Sequence, residues 1–264
     1  MKMFTLVTGA GAGIGRALAM ECASRKMNLL LVALPGLELE DTVQQIRAEY
    51  NTECHSLGID LSKPESFCLV YKWIKEHNFH INILINNVGV GSKQDFEHTE
   101  TCFYEKQLQL NIHAATMLTR LLLEELKANA PSHIMNTGSL GGFYIIPGKT
   151  VYSASKAYIY YFSRSLRLEL KQHNVIVSVL CPGGTDSNEK QITIHKELKG
   201  MAKRSILMPE HVAEEAIDQM LKGKARIIPG FINKLSYHIG RLTPEFIQQF
   251  IISNAFKQME KHKY

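Results

Sequence analysis

Three side chains in the middle of the sequence have the types and spacing needed to move a proton at a carbonyl oxygen. Tyr152 and Lys156 are four residues apart, so on a helix they project from the same face. A phenol ionises near pH 10, and a neighbouring ammonium would lower that pKa and make Tyr152 a general acid or base near neutral pH. Ser139 precedes Tyr152 by 13 residues, which leaves room for a turn, and its hydroxyl would bond the same carbonyl oxygen. Because Y-x-x-x-K is common by chance, a partly buried surface pair is the alternative.

A glycine-rich stretch near the start of the chain could hold a phosphate. It reads TLVTGAGAGIGRALA, with Gly9, Gly11, Gly13 and Gly15 at alternate positions, and it does not match G-x-G-x-x-G. Between a strand and a helix, backbone N–H groups attract phosphate, and missing side chains let a pyrophosphate approach. Taken alone, the stretch is equally consistent with a purely structural turn.

Short apolar runs alternate with helix-period segments along the chain. Strands are predicted over 4–7, 28–34, 54–59, 81–85, 133–137, 175–180 and 225–228. Helices are predicted over 14–24, 38–50, 64–76, 101–129, 151–171 and 209–221, with an irregular segment over 181–207. This alternation predicts an α/β fold, a Rossmann-type doubly wound parallel sheet of about seven strands in a single domain. Ligands of such sheets bind beyond the carboxyl ends of the strands, where the glycines and Ser139 would lie.

Composition excludes several classes of protein. The five cysteines are scattered and form no C-x-x-C, which argues against a disulfide framework or a zinc site and favours a reducing compartment. Three single histidines, His113, His195 and His238, have no partners at metal-ligand spacing, so no metal site is expected. No signal peptide precedes the first strand, and the apolar run 29–34 is too short to span a bilayer. We therefore expect a cytoplasmic protein with neither an integral membrane segment nor a nucleic-acid partner.

Taken together, these motifs resemble the short-chain dehydrogenase/reductase family, in the same order and from residue 5 to about 187. The family's cofactor motif T-G-x-x-x-G-x-G is matched by Thr8, Gly9, Ala10, Gly11, Ala12, Gly13, Ile14 and Gly15. Its N-N-A-G segment appears as residues 86–89, with Val88 in place of Ala. Further matches are Asp60 after the third strand, Asn111 in LQLNIHAA, Ser139, Tyr152, Lys156, and the Pro182-Gly183 turn.

The resemblance implies an oxidoreductase that transfers a hydride between a nicotinamide cofactor and a ketone or secondary alcohol. Tyr152 would be the proton donor or base, Lys156 would lower its pKa and bind the nicotinamide ribose, and Ser139 would orient the substrate oxygen. Asn111 would hold a water that connects Lys156 to solvent, or would simply pack against a strand. The remaining cofactor contacts would be Asp60, Leu61, Asn87, Val88, Gly89, Pro182, Gly183 and Thr185. The rival interpretation is a cofactor-binding sensor or scaffold without turnover.

The sequence departs from the family pattern where the cofactor ribose is recognised. NAD-binding members usually carry an acidic residue at the end of the second strand, and NADP-binding members an Arg nearby. Ala33, Leu34 and Pro35 provide neither charge. The absence of a carboxylate that would repel a 2′-phosphate favours NADP(H) over NAD(H). Arg16 is one candidate phosphate partner, although it could equally be an ordinary first-turn residue.

Two further segments bear on the substrate and on partners. Residues 188–207 are expected to be a substrate lid, and Tyr144 to face the pocket, so an apolar acyl or ring substrate is favoured.

Residues 231–264 form a C-terminal helical extension, with a helix start at 243–245 and an apolar stripe of Phe246, Ile247, Phe250, Ile251 and Phe256. The net charge of residues 222–264 is +6 and that of residues 1–221 is −1, which together give the +5 of the chain. The extension could pack on a subunit or the fold itself, cover the pocket, or, least favoured, touch an anionic membrane. By family analogy we expect a homodimer or homotetramer.

Overall fold

The computed structural model describes residues 1–91, 95–196, 198, 200–244 and 246–247. Its strands are β1 (Met3–Thr8), β2 (Asn28–Ala33), β3 (Cys54–Gly58), β4 (His80–Asn86), β5 (Ser132–Thr137), β6 (Val175–Leu180) and β7 (Arg226–Ile227). They form one parallel sheet in the order β3-β2-β1-β4-β5-β6-β7. The chain order reverses between β1 and β4, so the crevice for a ligand is expected at the carboxyl ends of these two strands. The predicted fold class is confirmed.

Helices cover both faces of the sheet. They are α1 (Gly13–Ser24), α2 (Leu37–Glu49), α3 (Ser66–Glu76), α4 (Thr101–Leu108), α5 (Ala114–Ala128), α6 (Thr150–Glu169), α7 (Glu189–Lys196), α8 (Gly200–Arg204), α9 (Pro209–Leu221) and α10 (Phe231–Leu242). A π-helical turn, Gln109–His113, joins α4 to α5, so the helix predicted over 101–129 exists but is locally unwound. The segment predicted to be irregular contains α7 and α8, which have no strong capping or periodic signal in the sequence.

Strand β2 shows why the sheet must be covered on both sides. Leu29 and Leu31 pack with α1, α2 and α9, while Leu30 and Val32 pack on the other face, with α3 and α5. All four side chains are fully buried. A strand that is apolar at every position, rather than at alternate ones, is typical of a parallel sheet between two helical layers. Removing one such leucine side chain costs about 2–5 kcal/mol, so these layers fix the strand ends that carry the site.

The last described helix, α10, ends at Leu242 and is followed by extended Thr243. A helix therefore ends where the sequence predicted one to start, although Phe246 and Ile247 begin a new helical turn. Of the residues in the predicted apolar stripe, Phe250, Ile251 and Phe256 lie outside the described part of the chain.

Candidate active site

The glycine turn joins β1 to α1 at the reversal point of the sheet. Gly9 and Gly13 adopt positive φ values of 69° and 54°, which L side chains rarely allow. A Cβ added at Gly15 would lie 1.9 Å from the carbonyl oxygen of Gly9 and 2.5 Å from Nδ2 of Asn87. The turn therefore folds back on itself so closely that only glycine fits at position 15.

The other residues of this motif have less restricted surroundings. A Cβ at Gly11 would meet nothing nearer than 3.5 Å, which explains why the family motif leaves this position variable. Ala12 is exposed at the N-terminal end of α1, and Ile14 packs against the core. The start of α1 thus presents small side chains and free backbone N–H groups, the arrangement that accepts a phosphate.

Hydrogen bonds tie the turn to the end of β4. Oγ1 of Thr8 accepts from the backbone N–H groups of Asn87 and Val88 at 2.9 and 3.2 Å. The side chain of Asn87 donates back to the carbonyl oxygen of Thr8 at 3.2 Å and accepts from Oγ1 of Thr137 at 3.4 Å. These bonds hold the ends of three strands, β1, β4 and β5, in one fixed arrangement.

Tyr152 lies in the first turn of α6, facing the loop that follows β5. Ser139, the second residue of that loop, hydrogen-bonds the Tyr152 phenol and accepts from the backbone N–H of Gly141 at 3.0 Å. Cβ atoms added at Gly91 and Gly141 would lie 3.2 and 3.4 Å from opposite edges of the Tyr152 ring. The predicted Ser–Tyr pair is therefore formed, and two glycines make the space that its ring occupies.

Lys156 is buried one helical turn after Tyr152. Its Nζ donates to the carbonyl oxygen of Thr137 at 2.8 Å and lies 5.9 Å from the centre of the Tyr152 ring. Burial lowers the pKa of Lys156 to about 8. Burial also raises the pKa of Tyr152, and the hydrogen bond from Ser139 offsets only part of that rise. The expectation that the ammonium would depress the Tyr152 pKa is wrong for this arrangement, because desolvation of the buried phenol is the largest effect and the opposing effect comes from Ser139.

Asn111 sits in the π-helical turn, which directs its side chain towards the loop after β4. Its Oδ1 accepts from the backbone N–H of Val90 at 2.8 Å, and its Nδ2 donates to the carbonyl oxygen of Val90 and to Oγ of Ser155, both at 3.0 Å. A Cβ at Gly89 would be 2.9 Å from Oδ1 of Asn111 and 3.3 Å from Nζ of Lys156. Gly89, Asn111 and Lys156 therefore converge, and π turns of this kind are often found at functional sites.

Asp60 and Leu61 follow β3, at the edge of the crevice. The Asp60 carboxylate accepts from the backbone N–H of Ser62 at 2.9 Å, and this bond lowers the pKa of Asp60. Leu61 is buried in the core with its side chain turned away from solvent. Asp60 is thus presented as a charged acceptor, while Leu61 offers only its backbone.

The loop after β6 connects the turn at Pro182-Gly183 to the segment expected to be a lid. Thr185 pairs with Leu207, and the backbone N–H of Asp186 donates to the carbonyl oxygen of Leu207 at 3.1 Å. His195 on α7 bonds the carboxylate of Asp186 at 2.6 Å. A Cβ at Gly13 would be 3.0 Å from the carbonyl oxygen of Ser187. The beginning of the segment therefore lies over the glycine turn.

Helix α10, the first part of the extension predicted over 231–264, packs on the fold itself and borders the site. The Tyr144 hydroxyl donates to the carbonyl oxygen of Ser236 at 3.0 Å, and a Cβ at Gly183 would be 2.5 Å from Oδ1 of the buried Asn233. Phe143 packs edge-on against Tyr237 at 4.8 Å. Tyr144, predicted to face substrate, thus has its hydroxyl engaged by α10, and α10 supports both loops that flank the site.

The residues expected to recognise the cofactor ribose provide no free charge. Ala33 ends β2 and is followed by exposed Leu34 and by Pro35. The Arg16 guanidinium donates to the side-chain oxygen of Gln45 on α2. Arg16 is therefore held between two helices, which is the structural role that the sequence left open for it.

Within the part of the chain that the structure describes, no group of three or more His, Cys, Asp or Glu side chains could hold a metal ion. In the same residues, every helix is too short or too polar to cross a membrane.

Comparison with known proteins agrees with this geometry. The family model described as short chain dehydrogenase matches residues 3–198. The very-long-chain 3-oxoacyl-CoA reductase-A of Danio rerio is 30% identical over 68% of this chain. A short-chain dehydrogenase of Sphingobium yanoikuyae, solved in complex with NADPH, is 26% identical with a TM-score of 0.77 and covers 86% of this chain and 87% of its own.

A second solved structure is similar over nearly the whole chain. The bulky-bulky ketone specific alcohol dehydrogenase of Comamonas testosteroni is 25% identical with a TM-score of 0.76, covering 92% of this chain and 93% of its own. By contrast, the match spans 57% of the Danio rerio reductase. The matched family model, the strand order and the Asn111–Ser139–Tyr152–Lys156 arrangement lead to one conclusion: the chain belongs to the short chain dehydrogenase family.

Proposed function

We propose that this protein transfers a hydride between a nicotinamide cofactor and a ketone or secondary alcohol. The observation that carries the proposal is the convergence of Ser139, Tyr152, Lys156 and Asn111 beside the glycine turn. When bound, the nicotinamide supplies or accepts the hydride. The chain supplies the position of the reactants and the proton.

The residues present fit such a cofactor. The turn from Gly9 to Gly15 excludes side chains and opens the N-terminus of α1, which suits a pyrophosphate. Asp60 would offer a carboxylate acceptor for the adenosine end, and residues 87–89, the first two of which are bonded to Thr8 beside the glycine turn, would line the cofactor. At the other end, Lys156 would bind the nicotinamide ribose, and Thr185, after the Pro182-Gly183 turn, would meet the carboxamide.

Tyr152 is proposed to exchange the proton with the substrate oxygen. Its raised pKa keeps the phenol protonated at neutral pH, which is the form that donates to a carbonyl during reduction. Ser139, already bonded to the phenol, would orient the same oxygen. Because the phenolate is needed for the reverse step, alcohol oxidation is expected to need a higher pH than ketone reduction.

Lys156 and Asn111 are proposed to return the proton to Tyr152. A lysine with a pKa of about 8 exchanges protons readily near neutral pH. Oδ1 of Asn111 accepts from Val90 and keeps a second lone pair, which a water between Asn111 and Lys156 could use. These contacts support a relay to solvent through the π turn.

We propose NADP(H) as the preferred cofactor. Ala33 and Leu34 place no carboxylate where a 2′-phosphate would be repelled. The similar Sphingobium yanoikuyae enzyme was solved with NADPH. Arg16 would have to exchange its bond with Gln45 to contribute, so it is a weak candidate for phosphate recognition.

The proposed substrate is apolar, an acyl chain or a ring system. The relatives named above act on 3-oxoacyl-CoA or on bulky ketones, as their names state. Exposed Ile145 follows Tyr144 beside the site, and Met201 is exposed on α8 in the proposed lid, 188–207.

For assembly we propose a homodimer or homotetramer, because Tyr161 and Leu168 leave apolar surface exposed on α6.

The test combines cofactor titration with turnover. The protein is titrated with NADPH and with NADH while nicotinamide fluorescence is recorded. The cofactor that binds more tightly is then used to assay the reduction of a panel of apolar ketones. Tyr152→Phe should bind cofactor as the wild type does and lose at least about 1,000-fold in kcat. Tyr158→Phe, on the exposed side of the same helix, is the matched control. Cofactor binding without any turnover in the wild type would support the sensor interpretation instead.

A further inference from the structure

Helix α10 exposes a continuous apolar stripe. Phe231, Leu235, Ile239 and Leu242 are 78, 40, 55 and 86% exposed, and their spacing of four, four and three residues places them on one face of the helix. At about 100° per residue they cover roughly 80° of the circumference. Phe246, just beyond the end of the helix, is exposed as well.

The rest of the helix surface is divided between packing and positive charge. Asn233, Tyr237 and Gly240 face the protein, where Tyr144 and Gly183 contact them. Between this packed face and the stripe lie Lys234, His238 and Arg241. Two of these three side chains are already engaged, since Lys234 pairs with Glu215 and Arg241 donates to the Tyr237 hydroxyl. The stripe thus has a basic flank on one side, and its four side chains are 40–86% exposed in the part of the chain that the structure describes.

The surrounding sequence adds no acid to this flank beyond the Glu215 on α9 that already pairs with Lys234. Residues 219–244 contain no Asp or Glu and five Lys or Arg. The excess continues to the end of the chain, where residues 222–264 carry +6. A surface that covers this stripe must therefore offer apolar contact and negative charge side by side.

We propose that α10 lies on an anionic lipid surface, with its apolar stripe among the acyl chains and its basic flank at the phosphates. An amphipathic helix with this distribution binds in the plane of the interface. A second copy of this chain fits less well, because it would bring the same cations and no acid on α10 to pair with them. The proposal concerns an attachment surface and does not depend on the proposed reaction.

Attachment through α10 would hold the catalytic loops close to the lipid. The helix bonds Tyr144, in the loop that follows Ser139, and packs on Gly183, in the turn after β6. An apolar substrate dissolved in the bilayer would then have a short path to the crevice.

The experiment is cosedimentation of the full chain with phosphatidylcholine vesicles, with and without phosphatidylserine. The wild type should bind the anionic vesicles at least about tenfold more tightly than the neutral ones, and high salt should weaken that binding. Phe231→Ser with Ile239→Ser should reduce binding to anionic vesicles at least about tenfold. Leu37→Ser with Leu69→Ser, at comparably exposed positions on α2 and α3, is the matched control and should bind as the wild type does.

Circular dichroism and size-exclusion chromatography accompany each variant, to show that it folds and to give its oligomeric state. The proposal is overturned if the wild type stays in the supernatant with anionic vesicles, or if the stripe variant binds them as tightly as the wild type. It is also overturned if the stripe variant dissociates an oligomer while the wild type shows no vesicle binding, since the stripe would then be an interface between copies. Equal binding to neutral and anionic vesicles would remove the role assigned to the basic flank.

Discussion

Buried Lys156 should make this protein more stable as the pH rises, whereas a lysine in an ion pair makes a protein less stable as the pH rises. The pKa of Lys156 falls from 10.5 to about 8 on folding, because burial disfavours the ammonium. At 1.36 kcal/mol per pH unit, keeping the ammonium buried at neutral pH costs about 3 kcal/mol. Above the folded pKa the unfolded chain binds more protons than the folded chain, so the free energy of unfolding rises with pH until both forms are neutral.

Replacing Lys156 with Met removes this dependence while keeping a side chain of similar length. From the two pKa values, burying the Lys156 side chain lowers the free energy of unfolding by about 3.3 kcal/mol at pH 7 and by about 0.8 kcal/mol at pH 10. The unfolding free energy of the wild type, measured relative to Lys156→Met, should therefore increase by about 2.5 kcal/mol between these two values. The variant also loses the Lys156 bond to Thr137. That loss lowers its stability by the same amount at both pH values, so the expected change in the difference between the two proteins is unaffected.

The assay is urea unfolding at pH 7 and pH 10, followed by circular dichroism. Lys72→Met, on the exposed side of α3, accounts for the titration of the rest of the chain. A difference between wild type and Lys156→Met that stays constant over this range would refute the inference that the ammonium is desolvated.

Three further results are expected. Gly15→Ala should lower the free energy of unfolding by about 3 kcal/mol or more and weaken cofactor binding, because its Cβ would lie 1.9 Å from the Gly9 carbonyl oxygen. The control is Gly11→Ala, whose Cβ would have 3.5 Å of clearance, and it should unfold at nearly the wild-type denaturant midpoint. Asn111→Ala should cost about 2–3 kcal/mol in urea unfolding, because two buried bonds to the Val90 backbone are lost, and an unchanged midpoint would contradict this. In pH–rate profiles, alcohol oxidation should rise from neutral to alkaline pH while ketone reduction stays level and then falls, because the raised pKa of Tyr152 preserves the donor form; parallel profiles would assign the proton to another group.

Local geometry explains which parts of the molecule could be predicted from the sequence. The fully apolar strands, the glycine spacing from Gly9 to Gly15, and the four-residue interval between Tyr152 and Lys156 each constrain a few neighbouring residues, and the structure shows all of them. The parallel order of the strands follows from the helices between them. These signals are short-range, so they can be read directly from the chain.

The features that were not predicted depend on contacts between distant segments. The π turn at Asn111 has no signature in the sequence, since it depends on how the helix meets the loop at Val90. The packing of Asn233 on Gly183 joins residues 50 positions apart. The direction of the Tyr152 pKa was wrong because spacing gives the distance to a cation but not the depth of burial, and burial has the larger effect here.

The bonds between Thr8 and the N–H groups of Asn87 and Val88 have a consequence for the folding of the chain. They join residues 79 and 80 positions apart, and Lys156 reaches Thr137 only once β5 and α6 are in place. Contacts of such large sequence separation close long loops, which makes folding slow and delays their formation. On the ribosome, β1 and the glycine turn emerge long before β4, so the glycine turn of a nascent chain gains its bonds to residues 87 and 88 only after the fourth strand has been made.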